Sequence, residues 1–394
     1  MKRKVTIITE NLYGGGVQRI LQIICNHFDY ERYNLTIYSV IEDIPYPPFY
    51  PSQIDYKYIF NTIQQKQKIW ERIWIKVKNK WKLFIYYHCS PQLFHQLFIK
   101  DKTDVAIAFI EGYATRIVAG FPKDTKRIAW LHTDLEKNPW TSVAFKNMND
   151  EQKSYNNMDY IVCVSNIVKN TLEKKYNIKT KTKIIHNPID RERIIKLANN
   201  KPETPYRFSV KNNRIISIGA LINIKGYERL IKIAKRLVED NYQFELLILG
   251  KGTQEAYLKN LIKKNDLTSY VQLIGYQSNP YPFLQAADIY VCSSLAEGYN
   301  TAITEALILG KAVVSTECSG VKEQLGENNE YGICTQNNEE DLYNGIKKML
   351  NPNILSYYTQ KAKERGKIFT LKDSMNKIYD LIENNKCNHP KLAY

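Results

Sequence analysis

The sequence reads as an α/β protein of two doubly wound domains, and three observations carry that reading. Short β-branched runs alternate with helical stretches along the chain. A polar segment at 199–213, with Pro202 and Pro205 and no apolar periodicity, interrupts the alternation once, after which it starts again. The length, 394 residues, gives room for two domains of similar size.

In order, residues 4–8 form a strand that leads into Gly14-Gly15-Gly16, and Val17, Ile20, Leu21 and Ile24 follow at helical spacing. Strands are expected at 35–40, 104–110, 127–131, 160–164 and 183–185, then, past the linker, at 214–218, 244–249, 271–274 and 289–292. Helices are expected at 227–239 and 255–264. The expected domains are 1–205 and 206–370, with a tail, 371–394, whose Ile378, Leu381 and Ile382 at helical spacing would pack back on the first domain. Open α/β sheets bind ligands at the carboxyl ends of their strands, so the site is sought at strand ends, in a cleft between domains.

Composition excludes several classes. Hydrophobic residues at 44% and charged residues at 24% fit neither a disordered chain nor a fibrous repeat. No apolar run reaches the length of a membrane span, and the first ten residues lack the features of a signal peptide. The seven cysteines are scattered and never spaced C-x-x-C, which argues against a disulfide framework or zinc site; a reducing cytoplasm is the expected location. Lys and Arg number 56 against 40 acids, net +16, which points to an anionic partner.

Part of that excess is local. Over 64–86, Ile69, Trp70, Ile73, Trp74, Val77, Trp81, Phe84 and Ile85 fall at helical spacing, with Lys68, Arg72, Lys76 and Lys80 on another face. Two readings are open for this basic amphipathic helix: it packs its apolar face on the domain core, or it lies on an anionic membrane surface. No nucleic-acid recognition motif is visible, and nucleic acid is not an expected partner.

Two segments carry the chemistry. After the strand at 289–292 comes Ser293-Ser294-Leu295-Ala296-Glu297-Gly298-Tyr299-Asn300-Thr301-Ala302-Ile303-Thr304-Glu305. With a helix starting near Asn300 or Thr301, Glu297 lies in the preceding loop and Glu305 more than one turn inside, so both approach a ligand held at the helix start. The second segment is Ile218-Gly219-Ala220-Leu221-Ile222-Asn223-Ile224-Lys225-Gly226, where a lysine beside a turn can neutralise a diphosphate. Neither the P-loop pattern nor the dinucleotide pattern G-x-G-x-x-G is present, and there is no D-x-D metal pair.

These residues give the chain a resemblance to the family 4 glycosyltransferases of the GT-B fold. The resemblance is carried by Gly14-Gly15-Gly16-Val17-Gln18-Arg19, Trp130-Leu131-His132-Thr133-Asp134, Asn187-Pro188-Ile189-Asp190, Ile218 to Gly226, Leu249-Gly250-Lys251-Gly252, Glu297 to Glu305, Gly310-Lys311-Ala312-Val313-Val314 and Ser319-Gly320-Val321-Lys322-Glu323. It implies two Rossmann-like domains, the first binding an acceptor and the second a nucleotide sugar. The implied reaction is retaining transfer of a hexose or N-acetylhexosamine, with a UDP-sugar as the favoured co-substrate and neither metal nor resident cofactor.

By the same resemblance, Glu297 contacts the donor sugar, Glu305 holds the ribose, and Lys225 stabilises the leaving diphosphate. Backbone N–H groups at Gly15, Gly16, Gly298, Tyr299, Asn300, Thr301 and Ala302 meet sugar and diphosphate, with Gly219 beside them. His132 sits near the anomeric centre or the sugar's terminal hydroxyl. One departure stands at Ala220, where the family has an arginine that assists the lysine; Lys251 is the candidate substitute. The expected acceptor is a glycan or lipid-linked saccharide, met by a peripheral enzyme on the inner face of the plasma membrane. A nucleotide-sugar epimerase and a catalytically weakened partner subunit, suggested by Ala220, are the alternatives. Oligomeric state is not legible.

Overall fold

The computed structural model describes residues 1–384 except 48, 179–180, 203, 205–207 and 209–212. The chain divides into two compact units. One comprises Met1–Pro188 and the segment that starts at Lys372; the other is Ile189–Leu371.

In the first unit, all-parallel pairing joins β1 (Arg3–Thr9), β2 (Tyr33–Ile41), β3 (Asp55–Phe60), β4 (Val105–Ala108), β5 (Lys126–Leu131), β6 (Tyr160–Cys163) and β7 (Thr182–Ile184), in the order β3-β2-β1-β4-β5-β6-β7. On one face Val5 is flanked by Leu35 and Val105, and on the other Ile8 by Tyr38 and Ala108, so the central strands are largely apolar on both faces, as a sheet covered by helices requires. In the second unit, β8 (Arg214–Ile218), β9 (Glu245–Leu249), β10 (Val271–Gly275), β11 (Ile289–Cys292), β12 (Ala312–Thr316) and β13 (Ile333–Thr335) order as β10-β9-β8-β11-β12-β13. Alternation splits its core in two. Ile215, Leu246, Ile248 and Val291 pack with Leu230, Ile231 and Ala234 of the helix Tyr227–Glu239, while Ile216, Leu247, Leu249 and Tyr290 pack with Ile303, Ala306 and Leu307 of the helix Thr301–Ile308. Three strands, β3, β12 and β13, go beyond those expected. β3 is an edge strand with only Ile59 buried, which hides it from a hydrophobicity pattern.

Strand order reverses direction between β1 and β4 in the first sheet and between β8 and β11 in the second. These switch points open a crevice at the carboxyl ends of the strands, the usual ligand position in such sheets.

Two boundaries differ from expectation. The expected break at 205/206 falls on residues outside those described, while the units part at 188/189. The reason is packing: Ile189, Ile194 and Ala198, the last two in the helix Arg191–Ala198, bury against Tyr281 and Ile308 of the second unit. The helix expected at 64–86 runs instead as α2, Ile69–His88, its first turn held by the Glu71 carboxylate, which accepts from the Lys68 N–H at 3.0 Å.

Of the apolar stripe of α2, Ile85 near its C-terminal end is buried and most of the rest stays out of the core. Trp70, Trp74 and Trp81 are 56–60% exposed, and Ile69, Ile73, Val77 and Phe84 are exposed with them. The helix is tied down along another seam. Asn79 exchanges hydrogen bonds with the Asn61 backbone, Lys82 donates to the Ile59 carbonyl, and Tyr86 donates to Ala144 O at 2.8 Å. Buried Arg116 holds its last turn through the Tyr86 and Cys89 carbonyls, with Asp150 at 3.0 Å as its counter-ion. Among the described residues no helix is long and apolar enough to cross a membrane.

The tail helix, Leu371–Glu383, folds onto the first unit. Tyr379 stacks on Tyr33 with centroids 5.7 Å apart, and buried Lys126 donates to the Leu381 and Asn384 carbonyls at the helix end, where cations are favoured.

Candidate active site

At the switch point of the second sheet, Lys225 follows β8 and Glu297 follows β11, and the two meet. Lys225 Nζ lies 2.6 Å from Glu297 Oε1, which also accepts from Ser294 Oγ at 2.6 Å and Asn300 Nδ2 at 3.2 Å. All three bonds fall on Oε1, so Oε2 is the oxygen available to a ligand. Burial works against the Lys225 charge, but the Glu297 carboxylate outweighs it and holds the ammonium above its ordinary pKa. Gly226 makes the turn possible. Its φ is +65°, and a Cβ there would meet Ser293 O at 2.0 Å.

Asn300 caps the helix Thr301–Ile308, its Oδ1 accepting from Ala302 N at 2.9 Å. The Ala302 N–H is thus engaged by the cap, and no such cap bond reaches Thr301. Glu305 is buried one turn in, with Tyr281 Oη donating to it at 3.1 Å. Tyr299 is buried against Gly320, where a Cβ would meet its ring at 2.7 Å. Gly298 is buried beside it, and Gly219 borders the Lys225 stem. Lys251 does not join this group. Its ammonium lies over the exposed Tyr276 ring at 5.0 Å, although its carbonyl accepts from Leu221 N, one residue from Ala220.

Sequence reasoning missed the residue that sets the shape of this loop. Arg229 donates to Ser293 O at 2.7 Å and Ser294 O at 2.6 Å, and to Asn337 Oδ1 at 2.8 Å. Thr316 Oγ1 and Cys318 Sγ also donate to Ser294 O, and Asn337 Nδ2 donates to Leu295 O. With its carbonyls pinned, the segment turns Ser294 Oγ and Glu297 toward Lys225. The available signal was position: Arg229 lies four residues past Lys225, one helical turn inside the following helix.

The remaining expected residues lie in the first unit. Gly15 and Gly16 are exposed at the start of α1 (Gly16–Asn26), with Gly15 at the N-cap position and no side chain capping it. Its free N–H groups and dipole suit an anion. His132 directly follows β5 and is buried between Phe109 and Trp130, whose ring is parallel to its own at 6.1 Å. Burial pushes its pKa down to about 3, against a hydrogen bond to the Phe109 backbone that works the other way. The imidazole is therefore neutral near pH 7. A second residue missed in the sequence, Glu111, is 1% exposed and accepts from His132 N at 3.0 Å.

The neutral His132 has a consequence for stability. Below about pH 6.5 the unfolded chain takes up a proton that the folded one refuses until about pH 3. Stability is thus fully present above about 6.5 and falls with pH by about 1.4 kcal/mol per unit in that window. Between pH 7 and pH 5, urea unfolding of the wild type is expected to lose about 2 kcal/mol more than that of His132→Asn. Equal losses would mean a solvated imidazole.

Among the described residues no group of three or more His, Cys, Asp or Glu is placed to hold a metal ion.

The chain is similar to known proteins in sequence and in fold. The family model for glycosyl transferases group 1 matches residues 202–367, and that for glycosyltransferase family 4 matches residues 14–193. The chain is 33% identical over 192 residues to the Campylobacter jejuni N-acetylgalactosamine-N,N'-diacetylbacillosaminyl-diphospho-undecaprenol 4-alpha-N-acetylgalactosaminyltransferase, covering 48% of this chain and 50% of that one. It is 36% identical over 174 residues to an uncharacterized glycosyltransferase of Methanocaldococcus jannaschii, covering 43% of each. The chain thus spans half or less of these relatives' lengths. In fold it is similar to Anabaena HepE, solved in complex with UDP (TM-score 0.70, 15% identity, 97% of this chain and 99% of that one), and to TarM (TM-score 0.72, 13% identity, 98% and 99%). Two family models that between them take in most of the chain, on a fold shared with these proteins almost end to end, place it among the family 4 glycosyltransferases, with the GT-B fold.

Proposed function

We propose that the protein transfers a hexose or N-acetylhexosamine from a nucleotide sugar, a UDP-sugar first, to a lipid-linked or growing surface-polysaccharide acceptor, with retention at the anomeric carbon. The observation that carries this reading is the Lys225–Glu297 pair, 2.6 Å apart at the switch point of the second sheet beside an Asn-capped helix start. In it, Glu297 Oε2 accepts from donor-sugar hydroxyls, Glu305 holds the ribose, and the Tyr299 and Thr301 N–H groups bind the diphosphate. Lys225 meets the charge that grows on the departing diphosphate, with no metal required. In the first unit, taken by itself, the helix start at Gly15 and Gly16 suits an anion and the neutral His132 suits a hydroxyl.

The diphospho-undecaprenol for which the Campylobacter relative is named and the UDP held by HepE support the lipid-linked acceptor and the UDP donor. The exposed stripe of α2 supports a membrane-surface location on the cytoplasmic side. Lys76, Lys78 and Lys80 are exposed beside Trp74, Val77 and Trp81, each cation near an anionic surface adding about 1 kcal/mol.

The test is calorimetry and nucleotide release over a panel of nucleotide sugars, with and without chelator, on the wild type and Glu305→Ala. One donor bound and slowly hydrolysed, lost in the variant and indifferent to chelator, is expected. A product formed from the donor with no acceptor and no free nucleotide would favour an epimerase. Ala220, exposed and without an arginine in its place, favours one further reading: binding of no donor at all would point to a partner subunit of an active transferase.

A further inference from the structure

The ladder between β4 and β5 pairs Ala108 with Ala129, so continued pairing would set residue 111 opposite residue 132. It does not continue. At Gly112 the chain turns with φ +84° into the short helix Tyr113–Val118, and a Cβ there would press on the Trp140 ring at 3.3 Å. The main-chain ladder therefore ends just where the His132 N–H needs an acceptor, and the Glu111 carboxylate supplies one. Oε2 accepts from His132 N at 3.0 Å, and Oε1 from Trp140 Nε1 at 3.4 Å.

The Thr133 side chain also hydrogen-bonds to this carboxylate. Every neighbour so placed is a donor, which suits an ionised carboxylate, an acceptor at both oxygens, and does not suit an amide. Burial raises the Glu111 pKa, and these donors oppose the rise. The carboxylate thus joins the end of β4, the loop after β5 and the turn at Trp140.

What the loop presents is the imidazole. Its ring hydrogen-bonds to the Phe109 backbone, while Nε2 is buried with no hydrogen-bond partner. Since a backbone carbonyl accepts, the ring proton sits on Nδ1 and Nε2 is a bare acceptor. A buried acceptor left unpaired is costly, and a ligand hydroxyl removes the cost. From this arrangement we infer that Glu111 is a positioning residue for His132: by holding the His132 backbone where the sheet ladder ends, it keeps Nε2 as an unprotonated acceptor for a hydroxyl of the bound substrate. The substrate clause rests on the transferase reading above; the tautomer clause does not.

The experiment joins two readouts. The first is the 15N spectrum of histidine-labelled protein, with the His132 signals assigned by their loss in His132→Gln. In the wild type they should show protonated Nδ1 and unprotonated Nε2, and in Glu111→Gln a mixture of tautomers. The second is donor turnover. Glu111→Gln should lower kcat about tenfold, as for one lost charged hydrogen bond, with KM for the donor within about twofold. In a His132→Ala background the same change should cost less than about twofold, since a residue acting through another has nothing left to act on.

Trp140→Phe, which removes one donor and leaves the carboxylate, should give a smaller shift in the same direction. It also serves should Glu111→Gln fail to fold. A single Nδ1–H tautomer in Glu111→Gln, or in Trp140→Phe where that stands in, overturns the inference. So does a Glu111 effect that multiplies fully with that of His132→Ala. If the wild type turns over no donor, the transferase reading fails, and the spectrum still decides the role of Glu111 toward His132.

Discussion

Lys225→Met is expected to lower kcat for nucleotide release and sugar transfer by about 10²–10³-fold, the loss typical of removing one preorganised group from a developing anion. Methionine matches the length of the lysine and removes its charge. That charge is secure in the wild type, because Glu297 at 2.6 Å raises the ammonium pKa despite burial. A bound nucleotide sugar already carries a charged diphosphate, so some ground-state binding is lost as well. The further negative charge appears only as the sugar departs, so kcat should fall more than KM rises. Single-turnover nucleotide release separates the two, and a rate within about threefold of wild type would remove Lys225 from the mechanism. Glu297 keeps Ser294 and Asn300 as partners in the variant, so the loop should hold its shape.

The second large effect lies on α2. Changing Trp70, Trp74 and Trp81 together to Ser should weaken binding to anionic vesicles at low salt by at least about 10²-fold, since three half-exposed indoles represent roughly 1–2 kcal/mol each on burial. The melting temperature should stay where it is, because these side chains are more than half exposed and α2 is held by Asn79, Lys82, Tyr86 and Arg116 instead. Lys76→Glu with Lys80→Glu should weaken the same binding in a salt-dependent way. Unchanged vesicle binding by the triple variant would sink the membrane reading. A large drop in melting temperature would show the stripe to be structural.

The parts legible in the sequence are those whose signal is local. The run after Asn300 announces a helix start, Lys225-Gly226 a tight turn into a helix, and the β-branched runs the central strands. The period of residues 64–86 announced an amphipathic helix but left its orientation open. Periodicity tells that a helix has two faces, and only packing tells which face finds a partner. Here the seam at Asn79, Lys82 and Tyr86 is the one that does. The linker signal at 199–213 was real in composition, yet the units part at 188/189, because Ile194 and Ala198 find their apolar partners in the second unit.

By itself, then, the sequence determined the α/β class, the two-domain plan and the segments that bear the chemistry, because strand, turn and cap preferences act between residues a few positions apart. The tertiary structure alone decided which of those residues act together. Lys225 meets Glu297 across 72 positions, Arg229 fixes the loop from 64 away, and Glu111 takes up the His132 N–H where a ladder ends. Hydrogen bonds and ion pairs of this kind depend on distances of 3 Å between groups remote in the chain, and those distances exist only once each sheet has brought its own strand ends together.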